Sequence, residues 1–496
     1  MLVARKLSLF KLPLVLPKEF CTKVLCPYDV NESNVSTEWN LAKPYKEIPG
    51  ISRLEYLFSL FPRGKYYKKS FVEIQRNCFR EYGYIYKIPG FLGTKDMIFL
   101  TDPNDFEKVF RTEGKYPMRD VMESVDYYRK VYRPEKFKHG SGLITQSGPD
   151  WSFFRQKSNP LFLNTNIRNL YWPHVDEVAK DFMKLIDSKR DTNNILDGDL
   201  MTHLRLWSME TVVYILVGLR MGYTEGKYEK LEKVMNFVDQ FFTEIYKLNQ
   251  RPSPWKYIWT PTFQKHVNNQ DIAYQFTYEI IEEAMKNLQK KPLDGYERCM
   301  LAKIMDIDPN ISLVIPQDSI IAGLETTAFI MTGFLYAIAK NQDKQQLIRE
   351  EIQRNFPGKN APLSAEKLSN LTYTKLALKE SLRLLPYFSG VFRQTGENIT
   401  IKGYQIPKNI QNHLNPERWI RKNRDEKINP FLTLPFGYGR RMCIGKRMVE
   451  VEIEVLLTYL LRKYHIELKE EYLTKEYLPF GYPMENLRFR LTEIPD

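Results

Sequence analysis

At 496 residues, 43% of them hydrophobic, the chain is long enough for a large buried core, and no Gly/Ser linker or low-complexity tract divides it. Its 73 basic and 60 acidic residues leave +13, a balance compatible with an anionic membrane surface or an acidic protein partner; clusters such as Lys65-Tyr66-Tyr67-Lys68-Lys69 carry no nucleic-acid motif and read as a solvated face, so nucleic acid is not expected. Five scattered cysteines (Cys21, Cys26, Cys78, Cys299, Cys443) exclude a disulfide framework and fit a reducing compartment. No two of the six histidines fall at i,i+4, which argues against zinc, and neither a GxxxxGK[ST] loop nor a GxGxxG fingerprint is present.

In chain order, the amino terminus (Met1-Leu2-Val3-Ala4-Arg5-Lys6-Leu7-Ser8-Leu9-Phe10-Lys11) is basic, mixed with leucines and free of acid before Glu19. It is too interrupted by charge to span a bilayer and reads as a mitochondrial presequence, with residues 1–40 as a targeting or disordered segment. After Ile48-Pro49-Gly50, the alternating segments Tyr84–Ile88 and Met97–Leu100 predict a small antiparallel β unit within a β-rich part at about 50–110. From about Trp151 the apolar spacing turns helical, with predicted helices over Leu206–Leu219, Tyr228–Leu248, Ala273–Leu288, Leu313–Ala339 and Leu376–Leu385. Trp151 and Arg155, four apart, share a helix face. Ala322-Gly323-Leu324-Glu325-Thr326-Thr327 interrupts the long apolar helix with a glycine, an acid and hydroxyls, a pattern that can open a groove. Lys375 and Lys379 lie one turn apart, and Glu380 and Arg383 are placed to pair at i,i+3.

Near the carboxyl terminus, Phe436-Gly437-Tyr438-Gly439-Arg440-Arg441-Met442-Cys443-Ile444-Gly445 wraps one cysteine in glycines, arginines and a phenylalanine immediately before an amphipathic stretch. A thiolate needs a positive, hydrogen-bonding pocket, which N–H groups at a helix start supply, and Gly439 and Gly445 remove Cβ atoms where the chain turns or approaches a ligand.

The pattern Phe-x-x-Gly-x-Arg-x-Cys-x-Gly resembles the haem-thiolate loop of the cytochrome P450 superfamily, and the resemblance extends from Ile48 to the end of the chain. It implies a mainly α fold with minor β, a single domain over 41–496, and haem b with Cys443 as axial iron ligand. On the same resemblance, Phe436, Gly439, Arg441 and Gly445 shape the cofactor loop, Trp151, Arg155, Arg393 and Arg441 meet the haem propionates, and Ala322 and Gly323 line an oxygen groove. Thr326 would hydrogen-bond bound oxygen and Glu325 would be the acid of a proton relay, while Glu380, Arg383 and Arg418 would form a buried structural network. Lys375, Lys379, Lys446 and Arg447, together with Leu206–Glu210 and Trp259–Phe263, look like the mitochondrial type, in which an acidic ferredoxin fed by its reductase docks on such lysines. The implied activity is O2-dependent hydroxylation of a lipophilic substrate, sterol-like or foreign, at the matrix face of the mitochondrial inner membrane. Peripheral attachment would run through the apolar stretch Trp255 to Trp259, with no directly bound flavin or NAD. One segment departs from the family: only eight residues separate Pro407 from Pro416, where relatives carry a core strand and a short helix. A missing strand would leave its sheet neighbours with unpaired N–H and C=O groups, so an inactive or haem-deficient isoform stands as the alternative, beside a non-catalytic haem binder.

Overall fold

Short sequence signals set the first elements. Ser52 and Ser70 each cap a helix reciprocally with Glu55 and Glu73, starting α2 (Arg53–Ser59) and α3 (Phe71–Tyr82) after a single turn α1 (Thr37–Leu41). The computed structural model describes residues 37–223, 229–290, 299–388, 390–408, 411–414, 431, 433–471 and 487–495; the expected presequence lies almost wholly outside them. Strands β1 (Ile85–Ile88) and β2 (Met97–Leu100) pair antiparallel, Ile85 opposite Leu100, as their alternation predicts. Asp102 caps α4 (Pro103–Thr112), whose proline sits in the first turn where its missing N–H costs nothing. The 50–110 part therefore holds three helices beside its two strands.

A run of helices follows: α5 (Glu123–Tyr127), α6 (Gly142–Thr145), α7 (Gly148–Phe162), α8 (Ile167–Lys189), α9 (Leu200–Val217), α10 (Glu229–Ile245), α11 (Pro261–Lys290), α12 (Met300–Ile307), α13 (Val314–Lys340), α14 (Gln342–Asn355), α15 (Ala365–Ser369) and α16 (Thr372–Leu384). Then come β3 (Val391–Gln394), β4 (Ile399–Ile401), β5 (Tyr404–Ile406), β6 (Gln411–Leu414), α17 (Lys446–Lys463), β7 (Tyr464–Glu471) and β8 (Leu487–Glu493). The mainly α fold with minor β is the one expected.

Helix α13 is the axis of the core. Among the described residues it is the one helix apolar and long enough to cross a membrane, but most of it is buried inside the protein. It packs chiefly on α9, while α17 packs on α8. Gly323 makes the closest part of the first contact possible, because a Cβ there would lie 2.8 Å from Val212 Cγ2 of α9. Five residues earlier, Asp318 ties α13 to α6 and to the turn after α5: its carboxylate accepts the Leu143 N–H at 2.7 Å, the Ile144 N–H at 3.1 Å and Arg129 Nη1 at 2.7 Å.

The larger sheet has the order β1-β2-β6-β3. Strand β6 comes from inside the eight-residue connection, running parallel to β2 (Met97 opposite Gln411) and antiparallel to β3 (Val391 opposite Leu414). The expected gap between β2 and β3 is thus filled, and the backbone groups that a missing strand would orphan have partners.

Candidate active site

The cysteine loop is closed by its own backbone. The Cys443 N–H donates to the Phe436 carbonyl at 2.8 Å, and Gly437 and Gly439 take left-handed φ values of +71° and +70°. At Gly439 a side chain would also collide, since its Cβ would stand 2.9 Å from Glu113 Oε1. Gly445 differs from the expectation: its φ of −81° is ordinary, and a Cβ there would reach the Cys443 sulfur only at 3.9 Å, so it borders the sulfur without strain. Phe436 packs on the main core and beneath Lys446 Nζ.

Helix α17 starts at Lys446, so the sulfur of Cys443 sits at a helix amino terminus. Burial pushes the Cys443 thiol up; the N–H groups of Gly445 and Lys446 and the guanidiniums of Arg155 and Arg119 pull it back toward the thiolate. Of the three described cysteines, Cys78 and Cys299 are buried and Cys443 alone is exposed.

Three buried arginine atoms near this sulfur have no partner: Arg119 Nε, Arg155 Nε and Arg441 Nη1. Arg441 otherwise donates to the carbonyls of Pro117 at 3.1 Å and Gln146 at 2.7 Å, and its guanidinium lies 3.9 Å from the centre of the Trp151 ring. Trp151 thus backs an arginine. Burial, then repulsion from Arg119 and Arg393, pushes Arg441 down to about 7; burial brings Arg119 and Arg155 each down to about 10. Crowded cations with free donors require anions, and a flat ligand bearing two carboxylates fits that need. Arg119 was not foreseen, because an isolated arginine in Pro117-Met118-Arg119-Asp120 carries no motif.

Arg393 is placed differently from the expectation. Its Nε donates to Glu113 Oε2 at 2.7 Å, Nη1 to the Phe392 carbonyl at 2.8 Å and Nη2 to the Tyr438 carbonyl at 3.1 Å. A guanidinium with three protein acceptors holds the cysteine loop in place before it meets any ligand carboxylate.

In the middle of α13, Ser319, Ala322, Gly323 and Thr326 are at least partly accessible, a stripe at i, i+3, i+4 and i+7 on one side, beside partly accessible Ile321. The Thr326 hydroxyl donates to the Ala322 carbonyl at 2.8 Å, which leaves its lone pairs toward the accessible face. Glu325 turns away from that face: it is buried, and Arg205 of α9 grips it with Nε to Oε2 at 2.7 Å and Nη2 to Oε1 at 2.9 Å. The acid expected beside the threonine is therefore half of a bidentate ion pair, and Arg205 belongs to the site. Tyr387 borders the same region, with burial and then the Glu325 charge raising its phenol.

Glu380 and Arg383 do pair, at 2.8 and 2.5 Å, but Glu380 is 55% exposed, so this pair is not buried as expected; Arg418 lies outside the described residues. Lys379 is exposed, and Lys375 donates to the Ser369 carbonyl at 2.6 Å and stands 3.8 Å from Glu454 of α17. That contact sets Lys375 alongside the helix that carries Lys446 and Arg447.

The cytochrome P450 family profile matches residues 48–490. Among curated proteins the chain is 32% identical to "Cytochrome P450 12b1, mitochondrial" of Drosophila acanthoptera, covering 88% of each chain. It is 30% identical to "Probable cytochrome P450 12b2, mitochondrial" of Drosophila melanogaster, over 94% of this chain and 93% of the relative, and 31% identical to "Cytochrome P450 CYP12A2" of Musca domestica, over 94% and 92%.

Proposed function

The chain belongs to the cytochrome P450 family, whose members are monooxygenases, and from that premise we propose a ferredoxin-fed mitochondrial enzyme that hydroxylates a lipophilic substrate, sterol-like or foreign. The observation that carries the reading is exposed Cys443, its thiol set between two helix-start N–H groups and arginines with unpartnered donors. Bound there, a haem supplies the dioxygen and one-electron chemistry of the family.

The remaining work is done by the chain. Cys443 provides the thiolate, and Arg119, Arg155 and Arg441 neutralise the two carboxylates. Thr326 holds a proton at Oγ1, anchored on the Ala322 carbonyl, where it can be handed to the accessible side of α13. Both Glu325 oxygens accept from Arg205, so proton supply through that acid requires the pair to loosen. The apolar packing of α13 keeps bulk water out.

Lys375, Lys379, Lys446 and Arg447 form the face offered to an acidic ferredoxin. Exposed Leu54, Phe58, Phe61, Leu92, Tyr257 and Ile258 support a peripheral membrane attachment at the inner membrane, matrix side. Trp255 itself is buried, so within the expected stretch exposed Tyr257 and Ile258 and partly exposed Trp259 remain for lipid. The strand β6, which completes the sheet despite the short connection, favours the active reading over a defective isoform.

The reduced, carbon-monoxide-treated absorption spectrum tests this: a red-shifted thiolate Soret band is expected, and its absence would sink the assignment. With ferredoxin and its reductase supplying electrons, Thr326→Ala should consume NADPH without matching product; unchanged coupling would remove Thr326 from proton delivery.

A further inference from the structure

Segment 113–120 runs beneath the cysteine loop and is laced to it at several points. Arg440 Nη1 donates to the Lys115 carbonyl at 3.5 Å and Arg441 Nε to the Pro117 carbonyl at 3.1 Å, while the Gln394 N–H of β3 donates to the Met118 carbonyl at 3.0 Å and holds the segment from the other side. At its start stands Glu113, a carboxylate 6% exposed among guanidiniums. One oxygen accepts from Arg393 Nε at 2.7 Å, and the other lies where a side chain at Gly439 would have to go. Through its far end the same guanidinium reaches the Tyr438 carbonyl at 3.1 Å, and it lies over the Phe110 ring, itself 5.4 Å from the Tyr438 ring. Glu113, Arg393 and the Tyr438–Gly439 turn are thus one chain of contacts that ends four residues before Cys443.

We propose that Glu113 is a positioning residue of the cysteine loop: acting through Arg393 it fixes the turn that aims Cys443, and its charge offsets the arginines around the thiolate. A carboxylate here has two separable effects. It holds Arg393 on the Tyr438 carbonyl, which governs how long the sulfur stays on iron, and it places negative charge near the cofactor, which disfavours the reduced iron. The inference rests on the haem-thiolate reading.

The test compares haem-loaded wild type with Glu113→Gln and with the paired variant Glu113→Leu/Arg393→Met, by redox titration and by the lifetime of the thiolate-type band in the reduced carbon monoxide complex. Glu113→Gln should shift the potential positive and shorten that lifetime several-fold. The paired variant exchanges a buried ion pair for apolar groups, a change that proteins commonly tolerate, so it is informative even if the single variant fails to fold. It should keep a near-wild-type potential, because both charges leave together, yet lose the band several-fold faster, because the Tyr438 carbonyl has lost its donor. Folded variants that retain the wild-type band lifetime would overturn the proposal. So would a loss of haem content in which the bound fraction keeps its potential and band, since that is all a merely structural role predicts. If wild type itself lacks the thiolate band, the haem-thiolate reading fails first.

Discussion

Glu325 is where neighbours most change the meaning of a residue. As an acid beside a threonine it reads as a free proton donor; clasped by Arg205 it is a buried ion pair with both oxygens engaged. Removing one partner of such a pair leaves an uncompensated charge, so Arg205→Gln should lower unfolding stability by about 3 kcal/mol in a denaturant titration. Glu452 presents the opposite problem. It is fully buried on α17, neither carboxyl oxygen has a hydrogen-bond partner, and burial pushes it up to about 8, with the Thr327 hydroxyl pulling down without reaching hydrogen-bond geometry. The folded state keeps its proton where the unfolded chain, ionising near 4.5, has lost it. The stability this group contributes is complete below that value and is lost as pH rises through the folded value, a fall of up to roughly 5 kcal/mol at about 1.4 kcal/mol per pH unit. Glu452→Gln should flatten the slope, giving a higher denaturation midpoint than wild type at about pH 8 and a similar one at about pH 5.

Helices α9 and α13 show how an element's sequence is constrained by its partner. Gly323→Ala puts a methyl 2.8 Å from Val212 Cγ2, and separating two packed helices at that point should cost about 1–3 kcal/mol. Val212→Ala opens space on the facing helix, so the double variant should recover much of the loss in thermal unfolding, whereas a double variant no better than the single would place the strain elsewhere. The helix itself was legible: apolar spacing marked Leu206–Leu219, and the observed Leu200–Val217 is extended by an Asp199 cap and closed by Gly218 at φ +75°. The cysteine loop was legible for the same reason, since its signal is local. Arg205 and Glu113 were not, because each reaches its partner across 120 or more residues of chain, and Arg119 was not, because nothing local marks its approach to Cys443. Strand β6 was missed on composition. Gln411-Asn412-His413-Leu414 has neither alternation nor β-branched residues, and pairing on both edges decides its state.

Across the whole molecule, +13 is a diffuse surplus, and what turns it into recognition is where it is uncompensated. Many surface cations are committed: Lys65 to Glu81, Lys69 to Glu73, Arg133 and Lys136 to Asp271. On the α16 face Lys379 is exposed, Lys375 donates to the neutral Ser369 carbonyl and stands 3.8 Å from Glu454, and exposed Leu376 lies between them as an apolar contact. Close by, Lys446 is 40% exposed with only a 4.0 Å approach to Glu450. An acidic partner would compete at this face with Glu454 at 3.8 Å from Lys375 and Glu450 at 4.0 Å from Lys446, both long contacts, while the Glu380 carboxylate is already held by Arg383. Changing Lys375 and Lys379 together to glutamine should weaken ferredoxin binding about tenfold at low ionic strength, in line with roughly 0.5–1 kcal/mol for each exposed charge contact. The difference should vanish near 1 M salt, where screening acts within about 3 Å, and the haem spectrum should not change. Equal affinities at low salt would move the docking site off α16, because the positive charge is what the substitution removes and what an acidic partner would meet.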